Sequence, residues 1–252
     1  MRRPPSLQRA LVAAVGAFNR NPWTRDCLGL VSRGQGEPFN QDGLWTYHDH
    51  SFVDDPRFAR AYRRAVEAAG FDYEIRWRVH TVLWAAQHAV RLEGAFVECG
   101  TGRGFFASAI CEYLDWAQRP FYLFDTFLPF PPDESGSQEG GEPSPYYATD
   151  IESVANNFAQ LPGVKLKVVQ IPGGLVDVGP VAFLHVDLNH ADSEGAAVRH
   201  FWPQLATGSV MAFDDYGFQG FEASRESADR LGRELGYSVL TLPTGQGLVV
   251  KA

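Results

Sequence analysis

From residue 94 onward, short apolar runs alternate with stretches of helical periodicity, and that alternation constrains the fold more than any other feature of the chain. The strand candidates are 95–99, 121–125, 165–170, 181–187, 209–214, 237–242 and 248–250, with helical patterns near 105–113, 151–161, 194–205 and 223–235. Strands spaced by helices in this way imply a parallel sheet covered by helices on both faces. Only Pro243-Thr244-Gly245-Gln246-Gly247 separates the last two strands. That is too short for a crossover helix, so they must form an antiparallel hairpin. The expected fold is a doubly wound α/β domain whose seven-stranded, mostly parallel sheet closes on an antiparallel hairpin strand.

The sheet domain is expected to span 93–252, with 1–92 as an N-terminal helical extension packed on it. Leu7, Leu11, Val15 and Phe18 recur at helical spacing behind a basic start. Arg9 interrupts the apolar run and no small-residue cleavage site precedes Asn19, so an amphipathic docking helix is expected rather than a signal peptide. Residues 19–55, rich in Gly, Pro, Asn and Asp, read as an irregular lead-in. Two helices should follow, one carrying Phe58, Ala61, Tyr62 and Ala65 and one over 75–90, with their aromatics as packing. Residues 129–149 are too polar and too rich in Pro and Gly to form an element. They directly follow a strand's C-terminal end, where ligands bind in open α/β sheets, and read as a lid, with a passive insertion as the alternative.

Composition narrows the function. A formal net charge of -8 argues against a basic nucleic-acid footprint. No apolar stretch approaches the roughly 20 residues that span a bilayer. The three cysteines, Cys27, Cys99 and Cys111, include no close pair and suit a reduced, cytoplasmic setting.

The first strand runs into Glu98-Cys99-Gly100-Thr101-Gly102-Arg103-Gly104, which opens a helix. Glycines let the backbone turn sharply and approach a ligand closely. A dinucleotide fingerprint would place its third glycine where Phe105 stands, which disfavours a nicotinamide oxidoreductase. An acid on the strand, Glu98, would repel a pyrophosphate and suits the cationic amino-acid end of S-adenosylmethionine. The second strand ends in Asp125-Thr126, and an acid there can accept both ribose hydroxyls of a nucleoside. Glu98, Gly100, Thr101, Gly102, Gly104, Asp125 and Thr126 form the candidate cofactor set. A sheet of this type ending in an antiparallel hairpin strand is the methyltransferase version of the fold.

Two further strands end in carboxylates, Asp187 on one and Asp214-Asp215 on the next. One β–α–β step separates them, so in a parallel sheet they emerge side by side at one edge. Three acids converging without a basic neighbour would repel, and a hard divalent cation, Mg²⁺ first, resolves that repulsion. His190, on the loop after Asp187, is a candidate general base beside a solvated-loop alternative. His185, inside an apolar strand, reads as a satisfied core histidine.

Between about Ile75 and Lys251 the chain resembles the macrocin O-methyltransferase-like family, metal-dependent sugar O-methyltransferases that use S-adenosylmethionine. The resemblance rests on FVECGTGRGF, YLFDTF, FLHVDLNHADSE followed by FWPQL and FDDYGF, and the closing PTGQGLVVK. It implies that Glu98, Gly100 and Gly102 hold the methionine part of the cofactor and Asp125 its ribose. It also implies that Asp187, Asp214 and Asp215 bind the metal. The family's D-G-D-x-Y-E-S-T is here Asp187-Leu188-Asn189-His190-Ala191-Asp192-Ser193-Glu194, so a second acid is replaced by Asn189 and a tyrosine by Ala191. The expected activity is Mg²⁺-dependent O-methylation of a sugar or glycosylated small molecule, with Asp187 and His190 in catalytic roles. The alternatives are a catechol-like phenol acceptor and a non-catalytic cofactor-binding protein. The expected partner is a small-molecule hydroxyl acceptor, with neither nucleic acid nor membrane, and the chain could pair as a homodimer.

Overall fold

The computed structural model describes residues 38–46, 48–128 and 150–252. The expected docking helix over 7–18 and the lid over 129–149 lie outside the described residues. The chain divides into two compact units, 1–40 with 45–50, and 41–44 with 51–252. In the first unit the rings of Phe39 and His50 stand 5.9 Å apart. No helix among the described residues is long and apolar enough to cross a membrane.

The stretch expected to be irregular is not wholly so. Strands Phe39–Gln41 (β1) and Leu44–Thr46 (β2) flank an Asp42-Gly43 turn, and a short 3-10 helix covers Ser51–Asp54. Asp-Gly between short strands is a strong hairpin signal that the Pro- and Gly-rich composition masks.

Helix α1, Pro56–Ala69, begins where Asp55 accepts hydrogen bonds from the Arg57 and Phe58 amides and ends at Gly70 in the left-handed conformation. The capping acid and the proline at the first turn are the local reasons the helix starts there. Helix α2, Arg76–Ala89, follows. Strand β3 (Ala95–Cys99), helix α3 (Phe105–Tyr113) and strand β4 (Phe121–Asp125) come next. Then run helix α4 (Ile151–Phe158), strand β5 (Val164–Val168) and strand β6 (Val181–Val186). The chain closes with helix α5 (Ala191–Phe201), strand β7 (Leu205–Phe213), helix α6 (Glu222–Leu235), and strands β8 (Leu240–Thr241) and β9 (Gly247–Val250).

Seven strands form one sheet in the order β5-β4-β3-β6-β7-β9-β8. The first five are parallel, while β9 runs antiparallel to both β7 and β8. This is the doubly wound sheet with an antiparallel closing hairpin that the alternation predicts. Strand residues alternate between two cores, as the two-residue period requires. Phe96, Phe121, Leu123, Phe183 and Val210 pack with α1, α2 and α3 on one face. Val97, Phe124, Leu184, Met211 and Phe213 pack with α5 and α6 on the other. The order places the switch in connection direction at β3 and β6, so the crevice at their C-terminal ends is where an open α/β sheet takes ligands.

Glu194, in the first turn of α5, is only 6% exposed. Burial pushes its carboxyl up to about 7, against a lowering hydrogen bond with Ser224. The unfolded chain therefore loses this proton at ordinary carboxylate pH, while the folded chain keeps it until about 7. Its contribution to stability is intact at low pH and falls as pH rises through that window, by about 3 kcal/mol. Glu194→Gln should remove that fall. Urea unfolding at pH 4.5 and pH 8 is expected to show the variant gaining on the wild type as pH rises. An equal pH dependence in both proteins would contradict the buried-acid assignment.

Candidate active site

Every sequence-predicted site residue lies at or just beyond the C-terminal end of β3, β4, β6 or β7. The glycine loop leaves β3 and is held on both sides. The Gly100 amide donates to Phe124 O at 2.9 Å, and the Asp187 amide donates to Cys99 O at 2.8 Å. Gly100 has φ 88°, and a Cβ there would lie 1.8 Å from Asp187 O. Only glycine allows the loop to seat against the end of β6. Gly102 also has positive φ, but a Cβ on it would meet nothing within 4 Å. The loop therefore presents open space at Gly102. Gly104 is the N-cap of α3, and its amide donates to Thr101 O at 2.8 Å.

Asp125 ties β4 to that loop. Its Oδ2 accepts from the Gly102 amide at 2.8 Å, and its Oδ1 accepts from the Phe127 amide at 2.8 Å and the Thr126 hydroxyl at 3.4 Å. A carboxylate offers about four lone-pair sites and three are engaged, so one remains for a ligand hydroxyl and the long Thr126 contact can give way to another. Glu98 is fully enclosed in the sheet. Its Oε1 lies 3.0 Å from His185 Nδ1, while its Oε2 is buried without a hydrogen bond. Burial pushes the Glu98 carboxyl up, partly offset by His185. An orphaned buried carboxylate oxygen fits a cationic ligand group, and the ammonium of S-adenosylmethionine is one.

Asp187, Asp214 and Asp215 do converge, each offering an oxygen within 4.8 Å of the others. Burial, then the Asp214 and Asp215 charges, raises the Asp187 carboxyl well above its usual range. Burial and the Asp214 charge push Asp215 up to about 6. Asp214 behaves oppositely: burial would raise it, but Arg78, with His185 and Gln246, holds it well below the usual carboxylate range.

The premise that these acids lack a basic neighbour is corrected by Arg78. This residue is 4% exposed and comes from the first turn of α2. Its Nη1 donates to Asp214 Oδ2 at 2.8 Å and to Asp215 Oδ1 at 3.0 Å, and its Nε donates to Asp42 Oδ2 at 2.6 Å. Sequence reasoning missed Arg78 because its partners lie far along the chain. One signal was available: Arg78, Val82, Ala85 and Ala89 share a buried stripe at helical spacing, and a charge in such a stripe needs a partner. Gln246, in the closing hairpin, was also missed. It is fully buried, and its Nε2 donates to Asp214 Oδ1 at 2.9 Å.

His185 is buried as expected but not satisfied as expected. Beyond its Nδ1 contact with Glu98, its Nε2 has no hydrogen bond and lies 3.9 Å from Asp214 Oδ1. Burial would lower its pKa, but the flanking Asp214 and Glu98 carboxylates push it up to about 10. Glu98 and the acid cluster therefore flank one buried imidazole, although the sequence reading treated them as separate. His190 is exposed and serves as the N-cap of α5, its Nδ1 accepting from the Ser193 amide at 3.4 Å.

Residues 97–216 match the family model described as a methyltransferase domain. No curated protein matches the sequence. Solved structures do match in fold. The O-methyltransferase NovP superposes with TM-score 0.60 at 18% identity, covering 76% of this chain and 89% of that one. A calicheamicin methyltransferase gives TM-score 0.53 at 15% identity, covering 87% of this chain and 99% of that one. In its apo form that enzyme is described as a TDP-rhamnose 3'-O-methyltransferase. A Podospora anserina methyltransferase with S-adenosylhomocysteine bound gives TM-score 0.52 at 13% identity, covering 100% of this chain and 99% of that one. With its glycine loop and strand-end acids set in this sheet, the chain has the class I methyltransferase fold, and residues 97–216 carry its likeness to a methyltransferase domain.

Proposed function

We propose that the protein transfers the methyl group of S-adenosylmethionine to a hydroxyl oxygen of a small molecule bearing two neighbouring oxygens. A sugar or glycosylated compound is the leading acceptor class, in the manner of the macrocin O-methyltransferase-like family, and the reaction depends on Mg²⁺. The observation that carries this reading is the convergence of Asp187, Asp214 and Asp215 beside the glycine loop, which itself packs on the Asp187 carbonyl.

The donor set fits a dication. Asp42, Asp214 and Asp215 pair with one guanidinium and Asp187 converges with the last two, so the acids outnumber that charge and offer oxygen-only ligands. Asp187, Asp214 and Asp215 would hold the cation, which when bound supplies Lewis acidity toward the acceptor hydroxyl. The remaining work belongs to the chain. Glu98 Oε2 takes the cofactor ammonium, Asp125 accepts from the ribose hydroxyls, and Gly102 leaves the ligand room. His190, with its Nδ1 engaged in capping, takes the hydroxyl proton. Positioning of oxygen, methyl carbon and sulfur in line is the main source of rate.

Labelled methyl transfer should be measured over a panel of nucleotide sugars, glycosides and catechols, with and without EDTA. Transfer to a sugar hydroxyl that EDTA abolishes and Mg²⁺ restores is expected. Full transfer in excess EDTA would refute the metal role, and transfer confined to catechols would refute the sugar class.

A further inference from the structure

Arg78 occupies the acid cluster in a way that bears on how a cation enters it. Its Nη1 carries two hydrogens but faces three acceptors, Asp214 Oδ2 at 2.8 Å, Asp215 Oδ1 at 3.0 Å and Asp214 O at 3.2 Å. The other end of the guanidinium is fixed separately, by the Nε bond to Asp42 and by the Phe218 ring 4.7 Å away. Among the described residues, Arg78 makes no hydrogen bond to Asp187, the third acid. One nitrogen shared between two carboxylates sets a positive charge against the same two acids that a cation would need, so the guanidinium and the cation oppose each other there.

We propose that Arg78 is a built-in competitor of the divalent cation. Its guanidinium neutralises Asp214 and Asp215 while the metal is away and yields their oxygens when the metal arrives, keeping its hold on Asp42. The proposal rests on the magnesium reading above and adds to it a residue that sets metal affinity. Asp187, which Arg78 does not touch, is the acid left for the arriving ion. Asp42 holds the guanidinium through Nε in competition with the two acids, so it favours loading.

Two variants move in opposite directions on this reading. Arg78→Gln removes the competitor and should bind Mn²⁺ at least tenfold more tightly than the wild type in calorimetry on the cofactor-free protein. Asp42→Asn leaves the guanidinium to the inner acids and should bind Mn²⁺ at least threefold more weakly. A residue that merely arranged the carboxylates would give the reverse sign at position 78, because its loss would scatter the ligands. Unchanged or weaker Mn²⁺ binding by folded Arg78→Gln, beside a wild type that binds, overturns the competitor role and leaves the metal reading standing. Binding by Arg78→Gln alone upholds the competitor and overturns Mg²⁺ dependence of the natural enzyme, while binding by neither overturns both. If Arg78→Gln does not fold, Asp42→Asn decides: unchanged or tighter Mn²⁺ binding overturns the proposal.

Discussion

Gly100→Ala is expected to destabilise the protein by about 3 kcal/mol or more and to abolish S-adenosylhomocysteine binding. The new Cβ would lie 1.8 Å from Asp187 O and 2.4 Å from Asp187 C, which are backbone atoms with no rotamer to escape into. The φ of 88° adds strain for any residue with a Cβ. Relief requires the glycine loop to lift from β6, breaking the bonds from the Gly100 amide to Phe124 O and from the Asp187 amide to Cys99 O. Gly102→Ala is the informative control. Its Cβ meets nothing within 4 Å, so only the cost of φ 52° remains, about 1 kcal/mol. That variant should stay folded yet bind the cofactor product more weakly, because the methyl enters the space left for the ligand. Urea unfolding paired with calorimetry separates the two positions. A Gly100→Ala protein as stable as the wild type would show that the loop is not seated as described.

Asp125→Ala should lower S-adenosylhomocysteine affinity by about 100-fold. The carboxylate would lose the ribose hydroxyls, and charge-assisted hydrogen bonds are worth about 1.5–3 kcal/mol each. It would also release the Gly102 and Phe127 amides, each held at 2.8 Å, so the glycine loop loses its tie to β4. Asp125→Asn keeps an acceptor oxygen for one of those amides and should fall between the two. Wild-type affinity in Asp125→Ala would reduce the residue to a turn cap.

Strand β3, helix α3 and strand β4 were legible to the residue, because each apolar run is bounded by turn or cap residues that leave no room to slide. The edges were less so. Strand β7 begins at Leu205 rather than 209, because Leu205 pairs with Val181 across an irregularity in register that Ala206-Thr207-Gly208 disguises as a turn. Strand β8 shrinks to Leu240–Thr241, and Tyr237 instead packs its ring 4.7 Å from Trp202. Helix α5 starts at Ala191, three residues earlier than its apolar pattern suggests, since His190 caps it.

In the candidate site, the acids were legible because strand ends in a parallel sheet share one edge. Their counter-charges were not. Arg78 sits in a helix before the sheet and His185 in the middle of an apolar strand. Their pairing with Asp214 depends on how helix α2 and strands β6 and β7 come together, which no local pattern encodes.

The most direct test of the central claim is titration of S-adenosylhomocysteine and, separately, NAD into the purified protein. Saturable one-to-one binding of S-adenosylhomocysteine, weakened in Asp125→Ala and in Gly102→Ala, with no binding of NAD, is the expected result. Binding of NAD in its place, or S-adenosylhomocysteine binding indifferent to both substitutions, would contradict the assignment of this crevice to a methyl donor.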